Sequence, residues 1–512
     1  MSDTLRPGAR VARGATYVFV QGFVSSLISL IYFAVLARVL SHVEMGVYAI
    51  LNFILMVVQM IGPFVLSTAA TKYIAQYLAE RDYDKARSVV TRVLQISVLA
   101  SLSLLAVLSF MSGWLSTTLL GTTHQAGLFW ALGIASILQL FYSLSLSFLQ
   151  GLQRMRDVAI VGFVYTIMQN SVGLYLIYCG WGLLGIVYGW LAGLLASSLT
   201  GLALTAKFLD IRGKPHPIRP LLNFSYPLYF SGIIAFFVNY ADQLFLLAVL
   251  GFEPLGVYNV AIRAYIVPGL IATSIVAALF PKLSEMYTQG GKGALQDSFR
   301  TSSRYSVLIG FPMIIGLAAL AYPLIILFVG RGYVEAALPL TIVCLSALPA
   351  SLGVAIQPIL MTLERTMIVS LISLASIFTD TAICYITLTQ LNLGVIGAAW
   401  ARVIAALVWF GLGVYALRKH IRISFDMEAL WKGSVASIIM AVSVVLYRGL
   451  EKFTPKLYYL IPIYVVVGTA VYVFSLVLLR AVKRQDIELI RDYLPRGLKW
   501  IAVLIGRIAS VK

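Results

Sequence analysis

The chain repeats part of its own sequence at a distance of about 210 residues, and this repeat limits what the chain can fold into. The segment Met45-Gly46-Val47-Tyr48 returns as Leu255-Gly256-Val257-Tyr258. Farther along, Leu152-Gln153-Arg154 corresponds to Leu363-Glu364-Arg365. Two halves built on one plan are typical of membrane transporters, in which the transport pathway lies between the halves.

The composition is that of an integral membrane protein. Hydrophobic residues make up 60% of the 512 positions, charged residues make up 11%, and the mean hydropathy is +0.93. These values lie far outside the range of soluble globular chains. The formal net charge of +18 comes from Lys and Arg in loops, without a basic run interleaved with aromatic residues. We therefore expect no nucleic-acid partner.

Fourteen segments are long and apolar enough to cross a ~30 Å hydrocarbon core as helices. Because each half has an even number of spans, the two halves begin on the same side of the membrane and form parallel repeats. The predicted fold is an all-α integral membrane protein, with a six-helix lobe at 1–210, a second six-helix lobe at 211–421, and two extra transmembrane helices with a basic interfacial tail at 422–512. The predicted spans are 15–37, 45–70, 89–111, 125–150, 158–179, 183–206, 224–250, 256–280, 305–328, 334–361, 367–388, 394–417, 433–449 and 458–480.

The distribution of positive charge predicts the orientation. Nearly all Lys and Arg residues fall in the termini and in every second loop, and this excess marks the cytoplasmic side. The opposite set of loops contains only Arg38, Arg331, Arg448, Lys452 and Lys456. We therefore expect a multi-pass protein of the cytoplasmic membrane with both termini in the cytoplasm.

The loops give no indication of an enzyme. The longest outward loop of the repeated halves, 112–124, contains no Lys, Arg, Asp or Glu. The four histidines, His42, His124, His216 and His420, are scattered, and we expect them to be solvated loop residues. No pattern of metal ligands, paired catalytic carboxylates or a phosphate-binding loop occurs. We predict a non-enzymatic protein without a metal or other cofactor.

Four charged residues stand out inside the predicted spans, where ionisable groups are costly and usually functional. Asp242 and Arg263 are placed symmetrically about the turn at 251–254, and Asp380 and Arg402 are placed symmetrically about position 391. The two helices of a hairpin bring such residues to similar depth. We therefore predict an Asp242–Arg263 ion pair and an Asp380–Arg402 ion pair, both in the second half.

Uncharged polar residues accompany these charges. Asn239 and Gln243 share a helix face with Asp242, and Asn259 shares a face of the next helix with Arg263. In the first half, Gln21, Gln59, Gln139, Gln169 and Asn170 provide uncharged polar groups within spans. The candidate substrate-binding residues are Arg263, Arg402, Asn259, Asn239, Gln243, Gln169, Asn170 and Gln21.

Three interpretations of the charged residues remain open. The Asp–Arg pairs could simply connect neighbouring helices, because an unpaired buried charge costs several kcal/mol. Arg263 and Arg402 could line a cavity and bind a phosphate or another anion, for which the guanidinium fork is well shaped. Asp242 and Asp380 could bind a proton or a cation that is coupled to transport. The amides of the first half could bind sugar hydroxyls or hydrogen-bond to neighbouring helices.

Several segments together resemble a known family. They are Phe33-Ala34-Val35-Leu36-Ala37-Arg38-Val39-Leu40 with Met45-Gly46-Val47-Tyr48 in the first half, and Leu222-Asn223-Phe224-Ser225-Tyr226-Pro227-Leu228, Ala241-Asp242-Gln243 and Ala261-Ile262-Arg263 in the second. The chain resembles the polysaccharide transporters and O-antigen-flippase-like oligosaccharide-lipid flippases of the multidrug/oligosaccharidyl-lipid/polysaccharide exporter superfamily. The resemblance covers essentially the whole chain.

The resemblance implies a flippase for a polyprenyl-diphosphate-linked oligosaccharide, working by alternating access between two six-helix lobes. It implies a cationic central cavity, which in this sequence falls on Arg263 and Arg402. The implied partners are the lipid-linked substrate, membrane lipids and a polysaccharide polymerase or glycosyltransferase machinery. The alternative within the same superfamily is a proton- or sodium-coupled antiporter for drugs or other cations, in which Asp242 and Asp380 would bind the coupling ion.

Overall fold

The protein is an all-α integral membrane protein. The computed structural model describes residues 7–61, 64–120, 125–206, 216–265, 291, 293–449 and 461–481, and throughout these ranges the regular elements are helices. Thirteen of the described helices are long and apolar enough to cross a bilayer. They correspond one by one to thirteen of the fourteen predicted spans. The predicted span 256–280 and the predicted interfacial tail lie largely outside the described residues.

The chain forms two compact units, Met1–Phe236 and Phe237–Lys512. The division falls inside one long helix, α8, whereas the predicted boundary at 210/211 falls outside the described residues. The first unit contains α1 (Pro7–Val39), α2 (His42–Ile61), α3 (Phe64–Ala79), α4 (Tyr83–Leu120), α5 (Ala126–Gly151), α6 (Met155–Tyr178), α7 (Gly182–Thr205) and the first part of α8 (Ile218–Leu250).

The second unit contains the end of α8 and the remaining helices. A π-helical turn, Ser306–Gly310, interrupts α10 (Gly293–Ala319), and a second one, Ile386–Gln390, extends α14 (Thr366–Tyr385). A 3₁₀ segment, Arg331–Ala336, precedes α12. The helices are α9 (Phe252–Ala264), α10 (Gly293–Ala319), α11 (Ala321–Phe328), α12 (Ala337–Leu352), α13 (Ile356–Thr362), α14 (Thr366–Tyr385), α15 (Gly394–Arg418), α16 (Met427–Gly449) and α17 (Ile461–Leu478).

The internal repeat is visible in the turns that end corresponding helices. Gln153 after α5 and Glu364 after α13 both have left-handed backbones, with φ of 56° and 58°. The next residue in each turn donates its N–H back to the helix: Arg154 N to Leu149 O and Arg365 N to Leu360 O, both at 2.8 Å. These are the same helix-terminating hydrogen bonds. The repeat in sequence is therefore a repeat in local structure.

His216, at the start of α8, is buried, so the expectation that it is solvated was wrong. Its N–H donates to Ser88 O (3.0 Å), and its own carbonyl accepts from Arg92 Nε (2.7 Å). Its imidazole lies 3.1 Å from the hydroxyl of Tyr77. His216 is buried because its backbone N–H and C=O are hydrogen-bonded to α4. These bonds place its side chain against Tyr77 of α3.

Glycine allows α6 and α7 to touch at the backbone. A Cβ on Gly189 would lie 2.7 Å from the Cα of Gly173 and 2.8 Å from the carbonyl of Gln169. Small residues at such positions let transmembrane helices approach closely, because packing, rather than the hydrophobic effect, associates helices in lipid. This contact fixes the position of the α6–α7 hairpin, which carries Gln169 and Asn170.

We expect Gly189→Ala to destabilise the first unit by about 1–3 kcal/mol, because its methyl group would overlap backbone atoms that cannot rotate away. The measurement is the unfolding free energy, or the thermal midpoint, of the purified protein in detergent. Gly22→Ala is the matched control, since nothing lies within 4 Å of a Cβ at that position of α1. Equal stability of the two variants would contradict the proposed backbone contact.

Candidate functional site

The polar faces of α8 and α9 meet in the second unit. Asn259 Nδ2 donates to Gln243 Oε1 at 3.3 Å, and Gln243 Nε2 donates to Asn239 O, also at 3.3 Å. One residue earlier on each helix, the hydroxyl of Tyr258 donates to Asp242 Oδ2 at 2.5 Å. The hairpin therefore forms a hydrogen-bonded polar layer around Asp242.

Arg402 of α15 forms a buried ion pair with Asp242. Arg402 Nη1 lies 2.9 Å from Asp242 Oδ2, and the Asp242 side chain is 1% exposed. The second carboxylate oxygen, Oδ1, accepts the backbone N–H of Gln243 at 2.8 Å. Both oxygens of Asp242 are thus hydrogen-bonded, as a buried carboxylate requires.

Asp380 of α14 is a second buried carboxyl group in this cluster. Its exposed fraction is 7%, and it lies within Coulombic range of both Asp242 and Arg402. Its Oδ1 atom has no hydrogen-bond partner among the described residues. If both carboxyl groups were ionised, a single guanidinium would face two negative charges. Asp380 thus remains a candidate for binding a proton or a cation.

Neither predicted ion pair is formed. Arg402 binds Asp242 instead of Asp380, and Asp242 contacts Tyr258 instead of Arg263. The α8–α9 turn is narrower than the sequence suggested, because α8 ends at Leu250, α9 begins at Phe252, and only Gly251, with φ of 84°, lies between them. Residue 259 is therefore level with residue 243, and Arg263 lies one turn, about 6 Å, farther along α9.

Arg263 lacks a carboxylate partner within the described part of the chain. It lies in the last turn of α9, is partly buried, and makes no ion pair with any described residue. An arginine within a membrane helix normally pairs with an acidic group or with backbone carbonyls. Of the two arginines predicted to meet an anion, Arg263 is therefore the one whose guanidinium is not held by Asp242 or Asp380.

Gln21, one of the candidate amides of the first unit, lies in a polar contact between α1 and α6. Gln21 Nε2 donates to Ser25 Oγ at 3.0 Å, and Thr166 Oγ1 donates to the same hydroxyl at 3.0 Å. A Cβ on Gly162 would lie 2.7 Å from Gln21, and one on Gly173 would lie 2.8 Å from the hydroxyl of Tyr32. We call this α1–α6 contact the polar seam.

Asn170 continues the polar seam along α6, between Thr166 and Gly173, whereas the Cβ of Gln169 lies against Gly193 of α7. Asn170 is 4% exposed, and neither its Nδ2 nor its Oδ1 atom has a hydrogen-bond partner among the described residues. Oε1 of Gln169 and the hydroxyl of Tyr32 are likewise buried without a partner in the described part of the chain. These groups retain hydrogen-bonding capacity that Gln21 has already used within the protein.

Aromatic residues take the places of the charged cluster in the first unit. In the repeat, Tyr32 corresponds to Asp242, Tyr48 to Tyr258 and Trp190 to Arg402. The rings of Tyr48 and Trp190 are 6.1 Å apart, and Trp190 is fully buried. Tyr258 was not predicted as a site residue, although its identity with Tyr48 in the repeat was a usable signal.

Comparison with known proteins identifies related sequences. A family described as polysaccharide biosynthesis protein matches residues 35–338. A probable low-salt glycan biosynthesis flippase, Agl15 of Haloferax volcanii, is 22% identical over 433 residues, which are 84% of this chain and 88% of that protein. A probable lipid II flippase MurJ of Bdellovibrio bacteriovorus is 27% identical over 214 residues, 40% of each chain.

Solved structures share the fold. A lipid II flippase MurJ in an inward closed conformation superposes with a TM-score of 0.69 at 17% identity, covering 89% of this chain and 97% of that one. An inward-facing multidrug resistance transporter of the MATE family gives a TM-score of 0.64 at 16% identity, covering 77% and 96%. At these identities the likeness concerns the fold and leaves the transported substrate open.

We expect Arg402→Met to lower the unfolding free energy by about 3–5 kcal/mol, because Asp242 would remain buried without its counter-charge. The measurement is unfolding of the purified protein in mixed micelles. Arg263→Met is the matched control and should cost less than about 1 kcal/mol, since no described carboxylate loses a partner. The double variant Asp242→Asn/Arg402→Met should recover part of the loss, and equal effects of the two single Arg variants would contradict the pairing.

Proposed function

Because this chain belongs to the polysaccharide biosynthesis protein family, we propose that it is a flippase that translocates a polyprenyl-diphosphate-linked oligosaccharide across the cytoplasmic membrane. The observation that carries this proposal is the match to a glycan biosynthesis flippase over most of both chains. The fold shared with a lipid II flippase supports it. The proposed activity is transport by alternating access and contains no covalent step.

In this proposal Arg263 meets the diphosphate. A guanidinium binds phosphate oxygens through two parallel hydrogen bonds, and Arg263 has no described carboxylate that would compete for it. Arg402, in contrast, is held by Asp242 at 2.9 Å and becomes available only if that ion pair opens. Asn239, Gln243 and Asn259 would then extend the polar surface beside the anion.

Asn170 and Gln169 would bind sugar hydroxyls in the first unit. Their amide atoms lack partners in the described part of the chain, and an amide both donates and accepts hydrogen bonds, as a hydroxyl does. The buried position of Asn170 requires the first unit to open before a sugar reaches it. Gln21 contributes less in this proposal, because its amide is already bonded to Ser25.

Asp380 would couple transport to a proton or a cation. While Asp380 is neutralised, Arg402 pairs with Asp242, as in the structure. Loss of the proton or cation leaves two carboxylates competing for one guanidinium, and Arg402 can then be shared with or transferred to Asp380. Such an exchange changes the contacts between α8, α14 and α15, which is the kind of two-state element that transport requires.

The orientation belongs to the same proposal. The excess of Lys and Arg in alternate loops supports a cytoplasmic location for both termini. The saccharide would then be loaded in the cytoplasmic leaflet and delivered to the outer leaflet. A polymerase or a glycosyltransferase that uses the delivered lipid-linked sugar would be the functional partner.

Deletion of the gene should cause the lipid-linked saccharide to accumulate in the cytoplasmic leaflet, because synthesis continues while translocation stops. The measurement is a glycolipid inventory of the deletion strain, with leaflets distinguished by an impermeant glycan-modifying reagent. The wild-type gene should reverse the accumulation, and Arg263→Ala should fail to do so although the protein reaches the membrane. Unchanged glycolipids together with altered resistance to cationic drugs would instead favour the antiporter.

Asp380→Asn should abolish the dependence of transport on pH or on the cation, because an amide cannot exchange a proton or neutralise a cation. The measurement is flipping of a fluorescent lipid-linked oligosaccharide in vesicles over a range of pH and sodium concentrations. Asp84→Asn is the control, since that side chain is 95% exposed and far from any span centre. A pH and cation profile identical to that of the wild type would exclude Asp380 from coupling.

A further inference from the structure

The helix α10 is irregular where its counterpart in the first unit is regular. The third predicted span of each half falls in α4 and in α10. α4 is an uninterrupted α-helix, Tyr83–Leu120, whereas α10 contains the π-helical turn Ser306–Gly310. A π turn inside an α-helix is a recognised cause of bending. α10 therefore consists of two regular segments that meet at its π turn.

A break in the neighbouring helix lies against this π turn. α12 ends at Leu352 and α13 begins only at Ile356, although the corresponding helix of the first unit, α5, runs unbroken over Ala126–Gly151. Ser306 Oγ lies 2.7 Å from Ser351 Oγ, and Ser351 Oγ donates to Ser306 O at 3.1 Å. The second unit thus has two irregular points in contact, where the first unit has two continuous helices.

The first segment of α10 is attached to α13. Leu295 and Phe299 of α10 belong to the same hydrophobic cluster as Ile356 and Ile359 of α13, and all four side chains are buried. A buried cluster of this kind moves as one body, because its side chains are closely packed. A change in the bend of α10 would therefore move α13 as well.

The helix α16 lies alongside α10 at the π turn and beyond it. A Cβ on Gly433 of α16 would lie 2.8 Å from Cγ1 of Val307, which is part of the π turn. A Cβ on Gly316 of α10 would lie 3.3 Å from Cε of Met440. α16 itself is one continuous α-helix, Met427–Gly449. Contact with such a helix restrains the segment of α10 that follows the π turn.

A buried ion pair holds the segment that precedes the π turn. Arg304 Nη1 lies 2.9 Å from Asp426 Oδ2, and the two side chains are 8% and 6% exposed. Arg304 Nη2 donates to Ala481 O, just after α17, at 3.0 Å. The other carboxylate oxygen of Asp426 accepts the N–H of Ala429 in the first turn of α16. Arg304 is thus joined to both C-terminal helices by charge-assisted hydrogen bonds.

A tyrosine of α17 binds the π turn itself. Pro312 has no N–H to donate to the carbonyl of Leu308, four residues earlier in α10. The hydroxyl of Tyr472, a buried residue, donates to that carbonyl at 2.8 Å. An unbonded carbonyl inside a membrane protein is costly. This hydrogen bond therefore holds α17 against the irregular part of α10.

We propose that the C-terminal helix pair, α16 and α17, restrains the bend of α10 through the Arg304–Asp426 ion pair and the Tyr472–Leu308 hydrogen bond. While both contacts are closed, the two segments of α10 keep a single angle. When both are open, the segment before Ser306 swings together with α13 about the Ser306–Ser351 contact. The first unit needs no such restraint, because α4 and α5 are continuous. This proposal is independent of the proposed function.

The test is a distance measurement between two spin labels on α10 by pulsed electron paramagnetic resonance, with the full-length protein in lipid nanodiscs. The labels are attached at Asp297→Cys and Met313→Cys, two exposed positions on opposite sides of the π turn. They are about 24 Å apart along the helix. The exposed native cysteine is removed by Cys179→Ser. The labelled protein should give one narrow distance distribution.

Opening the two contacts should broaden this distribution. Tyr472→Phe removes only the hydroxyl, and Asp426→Asn removes the charge but keeps a good N-cap residue. The double variant Tyr472→Phe/Asp426→Asn should widen the distribution about twofold, and each single variant should widen it less. Thr469→Val is the matched control and should leave the width unchanged, since the hydroxyl of Thr469 donates within α17 to Val465 O.

A second pair of labels, at Arg87→Cys and Ser103→Cys on α4, has the same spacing in a helix without a π turn. Its distribution should be equally narrow in the wild type and in the double variant, which separates a released bend from general loosening of the protein. An unchanged width of the α10 pair in the double variant would overturn the proposal. Equal broadening of the α4 pair, or broadening by Thr469→Val as large as that by Tyr472→Phe, would overturn it too.

Discussion

The buried ion pair between Asp242 and Arg402 is the constraint around which the second unit is built. A charge inside a membrane protein must be paired and hydrogen-bonded, or the protein is destabilised by several kcal/mol. Tyr258 and the backbone of Gln243 complete the hydrogen bonds of Asp242, and α8, α9 and α15 must therefore meet at one level. Asp380 adds a carboxyl group that this arrangement does not fully satisfy. The second unit thus combines one satisfied charge pair with one carboxyl group whose Oδ1 has no hydrogen-bond partner among the described residues.

In the first unit, the positions that correspond to the ion pair carry uncharged side chains. Corresponding helices end in the same left-handed turns at Gln153 and Glu364, but Tyr32 and Trp190 replace the two members of the ion pair. Tyrosine and asparagine can bind a neutral polar group without the electrostatic cost of a buried ion. The repeat therefore provides two similar frameworks, of which one is suited to uncharged hydroxyls and the other to charge. A substrate that joins a saccharide to a diphosphate contains both kinds of group.

Hydropathy and the repeat were sufficient to predict the fold class and the thirteen described spans. A helix that crosses a bilayer needs about 20 consecutive, mostly apolar residues, and such a run is recognisable whatever the individual residues are. The sequence patterns also predicted a polar face on each of the helices α8 and α9, and the Gln243–Asn259 hydrogen bond joins these two faces. The choice of ion-pair partner could not be predicted in this way. It depends on the width of the turn at Gly251 and on a contact between α8 and α15, which are 160 positions apart at Asp242 and Arg402. His216 was misjudged for a similar reason, since its burial comes from α3 and α4.

The polar seam has a consequence for how the first span can evolve. Only 11% of the residues in the most apolar stretch of α1 are buried inside the protein. Packing of apolar side chains therefore contributes little to holding this helix against its neighbours. Gln21, Ser25 and Tyr32 each meet a small or hydroxylated residue of α6 at the same sequence separation, 141 positions. An insertion of one residue between Gln21 and Tyr32 would rotate one part of this set by about 100° away from α6. An insertion of about seven residues, or two turns, would restore the common face. Relatives of this chain should therefore vary freely on the outer side of α1 while keeping the spacing of these three positions.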